Sequence, residues 1–545
     1  MPKGEGPVKS ECLPFSGMPH VSRLFSDFLY DYPRVQSFYR RSPHITEWLK
    51  EEASSIRYTT RNRQAVSEIL ERQNKSWEAS AQTLTNLARL RGGAAAVVTG
   101  QQVGLFGGPL FSIYKALTAI KLAQVATEMG VDSVPVFWLA TEDHDLAEVN
   151  RVSIPGPDGS LETLAASVEG LADAPVGMLR FGAQIGTLLE QATTSLGESQ
   201  AAQALRHSYR PGETFGSAFA RLFALLFAEW GVILLDASDS ELHQLAEPIY
   251  REAVLRNAEL HDALVARGKE LEASGYHQQV KVTPSSTLLF TLNNGARVPL
   301  QRDPDGTSGS FEIGKERIPQ EELLARIRAA PHHFSGNVLL RPVVEDFLLP
   351  TLAYTGGAAE IAYFAQAGVV HEMLLGRTTP IVPRFSATLV ESKPRRLLDQ
   401  YRLNLPDLFH SPEQLRETLA AHALPAELQS AFENAATSLQ HSLSAIRDAL
   451  GRLDRTLLDA AENAAAKMQH QLDGLRARAA RAELRQAEVV RRHGEVLSYA
   501  LYPHQTLQER ELAGVYFLAR HGTELLRALY DAIRTDCLDH QVISL

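Results

Sequence analysis

Between Ala94 and Asn150 the chain reads AAAVVTGQQVGLFGGPLFSIYKALTAIKLA and then, after a short connector, VPVFWLATEDHDLAEVN. Ala94 to Thr99 is a short apolar run closed by Gly100, the pattern of a strand covered on both faces. A loop with glycines at 100, 104, 107 and 108 follows. Pro109 stands where the first helical residue is expected, because its missing N–H would have no partner there. Leu110, Ile113, Leu117, Ile120 and Ala123 recur every three or four residues, which predicts a helix with one apolar face. Val134 to Ala140 is a second buried run, and it empties into Glu142, Asp143, His144 and Asp145. Such a strand–loop–helix–strand unit suits an open parallel sheet, where ligands bind at the carboxyl edge of the strands.

The chemistry at that edge follows from residue type. Gln101 and Gln102 lead into a loop in which Gly104, Gly107 and Gly108 let the backbone approach a ligand closely. The first N–H groups of the following helix have no partners within it, and its dipole adds partial positive charge. The segment from Gly104 to Ser112 is therefore a candidate cradle for phosphate or carboxylate, with Lys115 supplying a full charge. The spacing matches neither the P-loop nor the G-x-G-x-x-G fingerprint. The competing reading is a tight turn whose glycines serve packing. The Glu142–Asp145 cluster suits a general base, a holder for a substrate ammonium, or an Mg²⁺ site bridging phosphates. A solvated acidic loop capping the next element is the alternative.

Further along, the same design returns. Thr351 to Tyr354 is an apolar strand running into Gly356 and Gly357, with Glu360 in the next helix. Two such loops facing one crevice could hold two parts of a substrate. Val338–Leu340 is a further apolar run ending in charge at Arg341, Glu345 and Asp346. The last strand-like run, 381–390, offers Arg384, Ser386 and Thr388 as candidate ligand donors, against a surface ion pair for Arg384. Asp236 ends another buried run, 231–236, and reads as a cap for the following helix rather than a ribose ligand.

A chain of 545 residues with 44% hydrophobic and 22% charged residues holds two or three domains. Its net charge of −10 argues against a nucleic-acid surface. The two cysteines, Cys12 and Cys537, stand near opposite ends, too few for a disulfide scaffold and in keeping with a reducing cytosol. No run approaches the ~20 apolar residues of a membrane span, so the expected location is cytoplasmic, with no membrane partner. Short helices are expected over 21–30 and 45–56 and a long one over 61–91. A proline–glycine turn is expected at 155–159, a hairpin around Asn293-Asn294-Gly295 and a strand at 311–318. His332 and His333 lack carboxylate partners at metal spacing. Leu428, Phe432, Ala435, Leu439, Leu443, Ile446 and Leu450 form a heptad seam broken at Gly451. Leu457 to Ala479 resumes it, which predicts an antiparallel hairpin of two long helices. Arg476, Arg478, Arg481, Arg485, Arg491 and Arg492 make the second helix locally basic.

TGQQVGLFGGPL (Thr99–Leu110), PVFWLATEDHD (Pro135–Asp145), NVLLRPVVEDFLLPTLAYTGGAAEIAYFAQ (Asn337–Gln366) and LQER (Leu507–Arg510) together resemble the bacillithiol-biosynthesis cysteine-adding family, BshC. The likeness runs in order through nearly the whole chain. It implies a ligase joining cysteine to glucosaminyl malate. It also implies an α/β, Rossmann-like parallel-sheet core with β-rich connecting insertions, and an α-helical antiparallel coiled coil that makes a homodimer. On that reading residues 1–93 are a helical preface packing on the core, and 94–395 are the core, with insertions near 150–180 and 275–320. Residues 424–501 are the coiled coil, and 502–545 return to the core. Joining a carboxylate to an amine calls for activation, so ATP or another nucleotide is expected, with Mg²⁺ as an accompaniment. The catalytic candidates are Glu142, Asp143, His144, Asp145 and Lys115. Substrate contacts are expected from Gln101, Gln102, Gly104, Gly107, Gly108, Arg341, Tyr354, Gly356, Gly357 and Glu360. Nucleotide contacts are expected from Arg384, Phe385, Ser386 and Arg510. The rivals are a non-catalytic nucleotide-binding coiled-coil scaffold and an adenylating enzyme for another amino acid.

Overall fold

The computed structural model describes residues 10–156, 160–171, 173–302, 309–422, 426–484 and 488–545. Arg485 and the centre of the turn expected at 155–159 lie outside them. The chain divides into two units. The first contains the residues up to 154, 162–387 and 509–541; the second contains 155–161, 388–508 and 542–545.

At the centre of the first unit is a five-stranded sheet. Its strands are β1 (Ala95–Gln101), β2 (Ser133–Leu139), β3 (Ile233–Asp236), β4 (Thr351–Gly356) and β5 (Ile381–Pro383), in the order β5-β4-β1-β2-β3. Every neighbouring pair is parallel. The continuous apolar runs are explained by burial on both faces: Val97, Val98, Val134, Val136 and Leu352 are fully enclosed. On one face Ile45, Trp48 and Leu49 from the N-terminal segment pack with Val97, Ala119, Leu122, Ala353 and Val382.

Helix α1 (Leu110–Glu128) joins β1 to β2 and is buried nearly all round, not along a single face as its spacing predicts. It packs against the sheet and also against the helices Gly514–His521 and Glu524–Ala532. Helix α2 (Ala358–Leu375) follows β4. A five-stranded antiparallel insertion contains the expected hairpin, Ser286–Asn293 against Ala296–Arg302. Its turn places Asn294 and Gly295 at φ of +51° and +84°, the left-handed pair that an Asn-Gly turn supplies.

Several expectations change at element boundaries. The long helix expected over 61–91 is two, Thr60–Ser76 and Ala81–Gly92. The break has Glu78 at φ +60°, and Ser80 caps the second helix by accepting from the Thr83 N–H. The strand expected over 311–318 is Ser310–Ile313 paired with Glu316–Pro319. The run at 338–340 ends not in a strand tip but in the helix Arg341–Leu348, with Pro342 in its first turn. The run at 381–390 divides into β5 and Ala387–Val390, in different sheets, with Arg384, Phe385 and Ser386 in the break. Asp236 does not cap a helix. It accepts from the Thr141 hydroxyl and the Ser238 N–H, and Asp239 caps Ser240–Leu255.

In the second unit the helices Ala426–Leu453 and Leu458–Leu484 form the expected hairpin around a short turn, where Asp454 accepts from the Thr456 N–H. Gly451 lies inside the first helix, which continues to Leu453. Among the described residues, five large apolar seam positions stay solvent-exposed: Leu428 (39%), Ile446 (52%), Leu457 (36%), Met468 (49%) and Leu475 (57%). Among the described residues, no helix is long and apolar enough to cross a membrane.

Candidate active site

Chain order supplies the reason for a cavity. From β1 the chain steps to β2 and β3 on one side, whereas β4 steps to β5 on the other. The reversal between β1 and β4 opens a crevice at their carboxyl ends. A cavity of about 280 Å³ lies there. Of the residues named from sequence, Gln101, Gln102, Lys115, Asp143, Arg341, Tyr354, Gly357, Glu360, Arg384 and Arg510 line it.

Lys115 and Glu360 tie its two halves together. Lys115 Nζ lies 2.8 Å from Glu360 Oε2 and donates to the Gly100 carbonyl (2.6 Å) and Gln101 Oε1 (2.9 Å). Glu360 also accepts from the Tyr354 hydroxyl (2.6 Å) and the Gly357 N–H (2.7 Å). Burial opposes its charge, but these donors outweigh it and hold the carboxyl below the usual range. Gly356 makes this possible, since a Cβ there would stand 2.8 Å from Glu360 Cβ. The Lys115 charge is thus compensated within the protein.

Asp143 is the one member of the acidic cluster on the wall. Its carboxylate accepts from Gln102 Nε2 (2.9 Å) and the His144 N–H (2.8 Å), and Arg297 lies 3.7 Å away. Burial raises its pKa, and Arg297, Arg341 and those donors more than reverse this. Asp143 is consequently a fixed anion suited to an ammonium group and a poor proton acceptor.

The rest of the cluster disperses. Glu142 pairs with His243 (3.1 Å), Asp145 caps the turn Leu146–Val149, and His144 accepts from Arg297 (3.2 Å). Glu142 and Asp145 turn to other partners, and His144, 3.7 Å from Asp143, does not line the cavity, so the four do not form one base-and-metal site. Among the described residues, no group of three metal-ligating side chains occurs.

The glycine loop also serves packing. Gly107 and Gly108 have φ of +86° and +72°, and a Cβ on Gly104 would come 2.8 Å from Gly108 Cα. Their amides are occupied: Gly107 donates to the Tyr209 hydroxyl, Gly108 to Leu105, Leu110 to Leu512 and Ser112 to Pro109. The cradle expected over 104–112 is therefore not an open set of donors.

Phe385 packs edge-on against Tyr114 (5.0 Å), outside the cavity. Ser386 donates to Glu509 (3.0 Å) and meets His540 Nδ1 at 2.8 Å. Arg384 is no surface ion pair: at 8% exposure it meets Glu509 at 2.6 Å and donates to the Phe385 carbonyl.

Sequence reasoning noted Glu345 only as charge following an apolar run and passed over Tyr363; both are on the wall. Glu345 stands one helical turn after Arg341, and Tyr363 stands three residues after Glu360, so helical spacing was the available signal. Tyr363 lies near Arg341 and favours its charged form. Burial first, then Asp346, pushes the Glu345 carboxyl well above the usual range, which favours its protonated form. Arg297 had no local signal, because a distant hairpin delivers it.

The chain matches two family models, the BshC N-terminal Rossmann-like domain over residues 8–385 and the BshC C-terminal coiled-coil domain over 387–545. Relatives named "Putative cysteine ligase BshC" occur in Koribacter versatilis, Solibacter usitatus and Salinibacter ruber. The first is 49% identical, covering 98% of this chain and 99% of its own. The second is 35% identical with the same coverage, and the third 32% with 95% and 96%. With both models matched and likeness over its full length, the chain belongs to the BshC family of bacillithiol biosynthesis.

Proposed function

We propose that the protein is a cysteine ligase that joins the cysteine carboxyl to the amine of glucosaminyl malate at the β1–β4 crevice. The observation that carries this reading is the pairing of opposite charges in one cavity. Arg341 and Arg510 offer donors for carboxylates or phosphate, beside Asp143 as a fixed anion and Glu345 as a carboxyl biased toward its protonated form. Arg341 suits bidentate contact with a malyl carboxylate. Asp143 suits the cysteine ammonium, and Glu345 is placed to hold or move a proton. A nucleotide, ATP or another, would supply the activation that makes the cysteine carbonyl electrophilic. Arg384 and Arg510 are the residues of this unit that would meet its phosphates, and any Mg²⁺ would arrive with them. The exposed apolar positions of the helical hairpin support self-association into a homodimer.

The test is an assay with cysteine, glucosaminyl malate and nucleotide, read by mass spectrometry of the thiol product and the spent nucleotide. Product formation that Asp143→Asn and Arg341→Lys each depress supports the reading. Absence of product with every nucleotide overturns it, and favours the scaffold if cellular thiol levels then depend on the hairpin alone.

A further inference from the structure

The only two cysteines of the chain are neighbours in the fold. Cys12 lies on the strand Ser10–Leu13, and Cys537 follows the helix Glu524–Ala532. Their Sγ atoms are 2.8 Å apart. A disulfide bond measures about 2 Å, so closure requires less than one further ångström of approach. Both residues are accessible, Cys12 exposed and Cys537 partly so. Contacts on either side hold them together. Ser10 Oγ donates to Gln541 Oε1 (2.7 Å), and the Tyr30 hydroxyl donates to Asp539 (2.6 Å) while accepting from the Phe15 N–H (2.8 Å). Two thiols could find each other by chance on a flexible surface; here hydrogen bonds from both sides of Cys12 to the segment just after Cys537 fix the pairing.

We infer that Cys12 and Cys537 form a redox-active dithiol that closes to an intramolecular disulfide by exchange with a low-molecular-weight disulfide. Desolvation and the hydrogen bond to Cys537 push the Cys12 thiol up to about 11, so Cys12 stays protonated while Cys537 attacks first. The Cys537 thiolate attacks one sulfur of the small disulfide, and the first small thiolate leaves and takes up a proton. Cys12 then gives its proton to solvent and attacks Cys537 Sγ, and the second small thiolate leaves and is protonated. Two protein thiols lose two electrons, and one small disulfide becomes two thiols. Neither sulfur lines the β1–β4 cavity, so the inference stands apart from the ligase reading.

The experiment treats the full-length protein with reduced and oxidised glutathione at graded ratios. Free thiols are then alkylated, peptides are mapped by mass spectrometry, and Tm is measured at each ratio. The expected result is a Cys12–Cys537 peptide two hydrogens lighter than its parts. Tm should rise by several degrees on oxidation, because the cross-link closes nearly the whole chain into one loop. Cys12→Ser should trap a single glutathione adduct on Cys537, and Cys12→Ser/Cys537→Ser should show no redox dependence of Tm. Two thiols that remain alkylatable in oxidised glutathione, two independent adducts on the wild-type protein, or disulfides only between chains would each overturn the inference.

Discussion

Lys115 Nζ and Glu360 Oε2, 2.8 Å apart, join the helix that follows β1 to the helix that follows β4, across the reversal in strand order that creates the cavity. Their side chains are only 4% and 14% exposed. The pair is a brace between two walls, and on the proposed reading the substrate charges fall to Arg341, Arg510 and Asp143.

Breaking this brace from one side leaves an uncompensated buried charge. Lys115→Met is expected to cost on the order of 3–5 kcal/mol. Lys115→Met/Glu360→Gln should recover much of that stability without recovering turnover. Denaturant unfolding of the three proteins checks this; a double variant no more stable than the single one would contradict it.

Asp143→Asn removes the anion expected to meet the cysteine ammonium while keeping its shape. A charge-assisted contact of this kind corresponds to a loss of about 10- to 100-fold in kcat/KM for cysteine. Glu142→Gln acts through His243, away from the cavity, and should alter stability and leave the KM for cysteine near the wild-type value. Steady-state kinetics on both variants separates the roles.

His540 is fully buried, and desolvation lowers its pKa from 6.5 to about 4, the nearby Arg384 adding to the effect and Glu509 opposing it. Between those values the unfolded chain takes up a proton that the native histidine refuses. Stability from this residue is therefore complete above pH 6.5 and declines as pH falls toward 4. Urea unfolding across that window should show the decline, and His540→Gln should flatten it.

Glu345 gives the opposite sign. Unfolded glutamate ionises near 4.5, whereas Glu345 keeps its proton well above that in the fold. The native state binds more protons, so its stability falls as pH rises beyond 4.5. Glu345→Gln should match the wild type in acid and exceed it progressively toward alkaline pH. An advantage that shrinks with rising pH would disprove the assignment.

Ile446 and Leu475 expose about half of their surface on the helical hairpin. Ile446→Glu/Leu475→Glu should weaken self-association while preserving helix content. Sedimentation velocity with circular dichroism measures both, and unchanged association would place any dimer contact elsewhere.

The parallel core and the helical hairpin were legible because burial on two faces and a heptad seam leave periodic traces in one dimension. Individual roles were less so. Glu142, Asp143, His144 and Asp145 are adjacent in sequence, yet only Asp143 reaches the cavity, since consecutive side chains diverge. The glycines at 104, 107 and 108 look the same whether they face a ligand or a neighbouring backbone; the Gly104–Gly108 approach decides for packing. Arg384 reads as a surface residue until Glu509 arrives from the far end of the chain. Cys12 and Cys537, distant in sequence, become neighbours through the same long return.

That return has a consequence for synthesis. Arg384 is enclosed with Glu509 as its counter-charge, and Arg510 completes the cavity rim, although every strand of the central sheet ends by Pro383. A nascent chain that has released only its sheet strands carries an unneutralised guanidinium where the site will form. Competence must wait until the last fraction of the polypeptide leaves the ribosome, and fragments ending before Glu509 should populate an unfinished, ligand-blind intermediate.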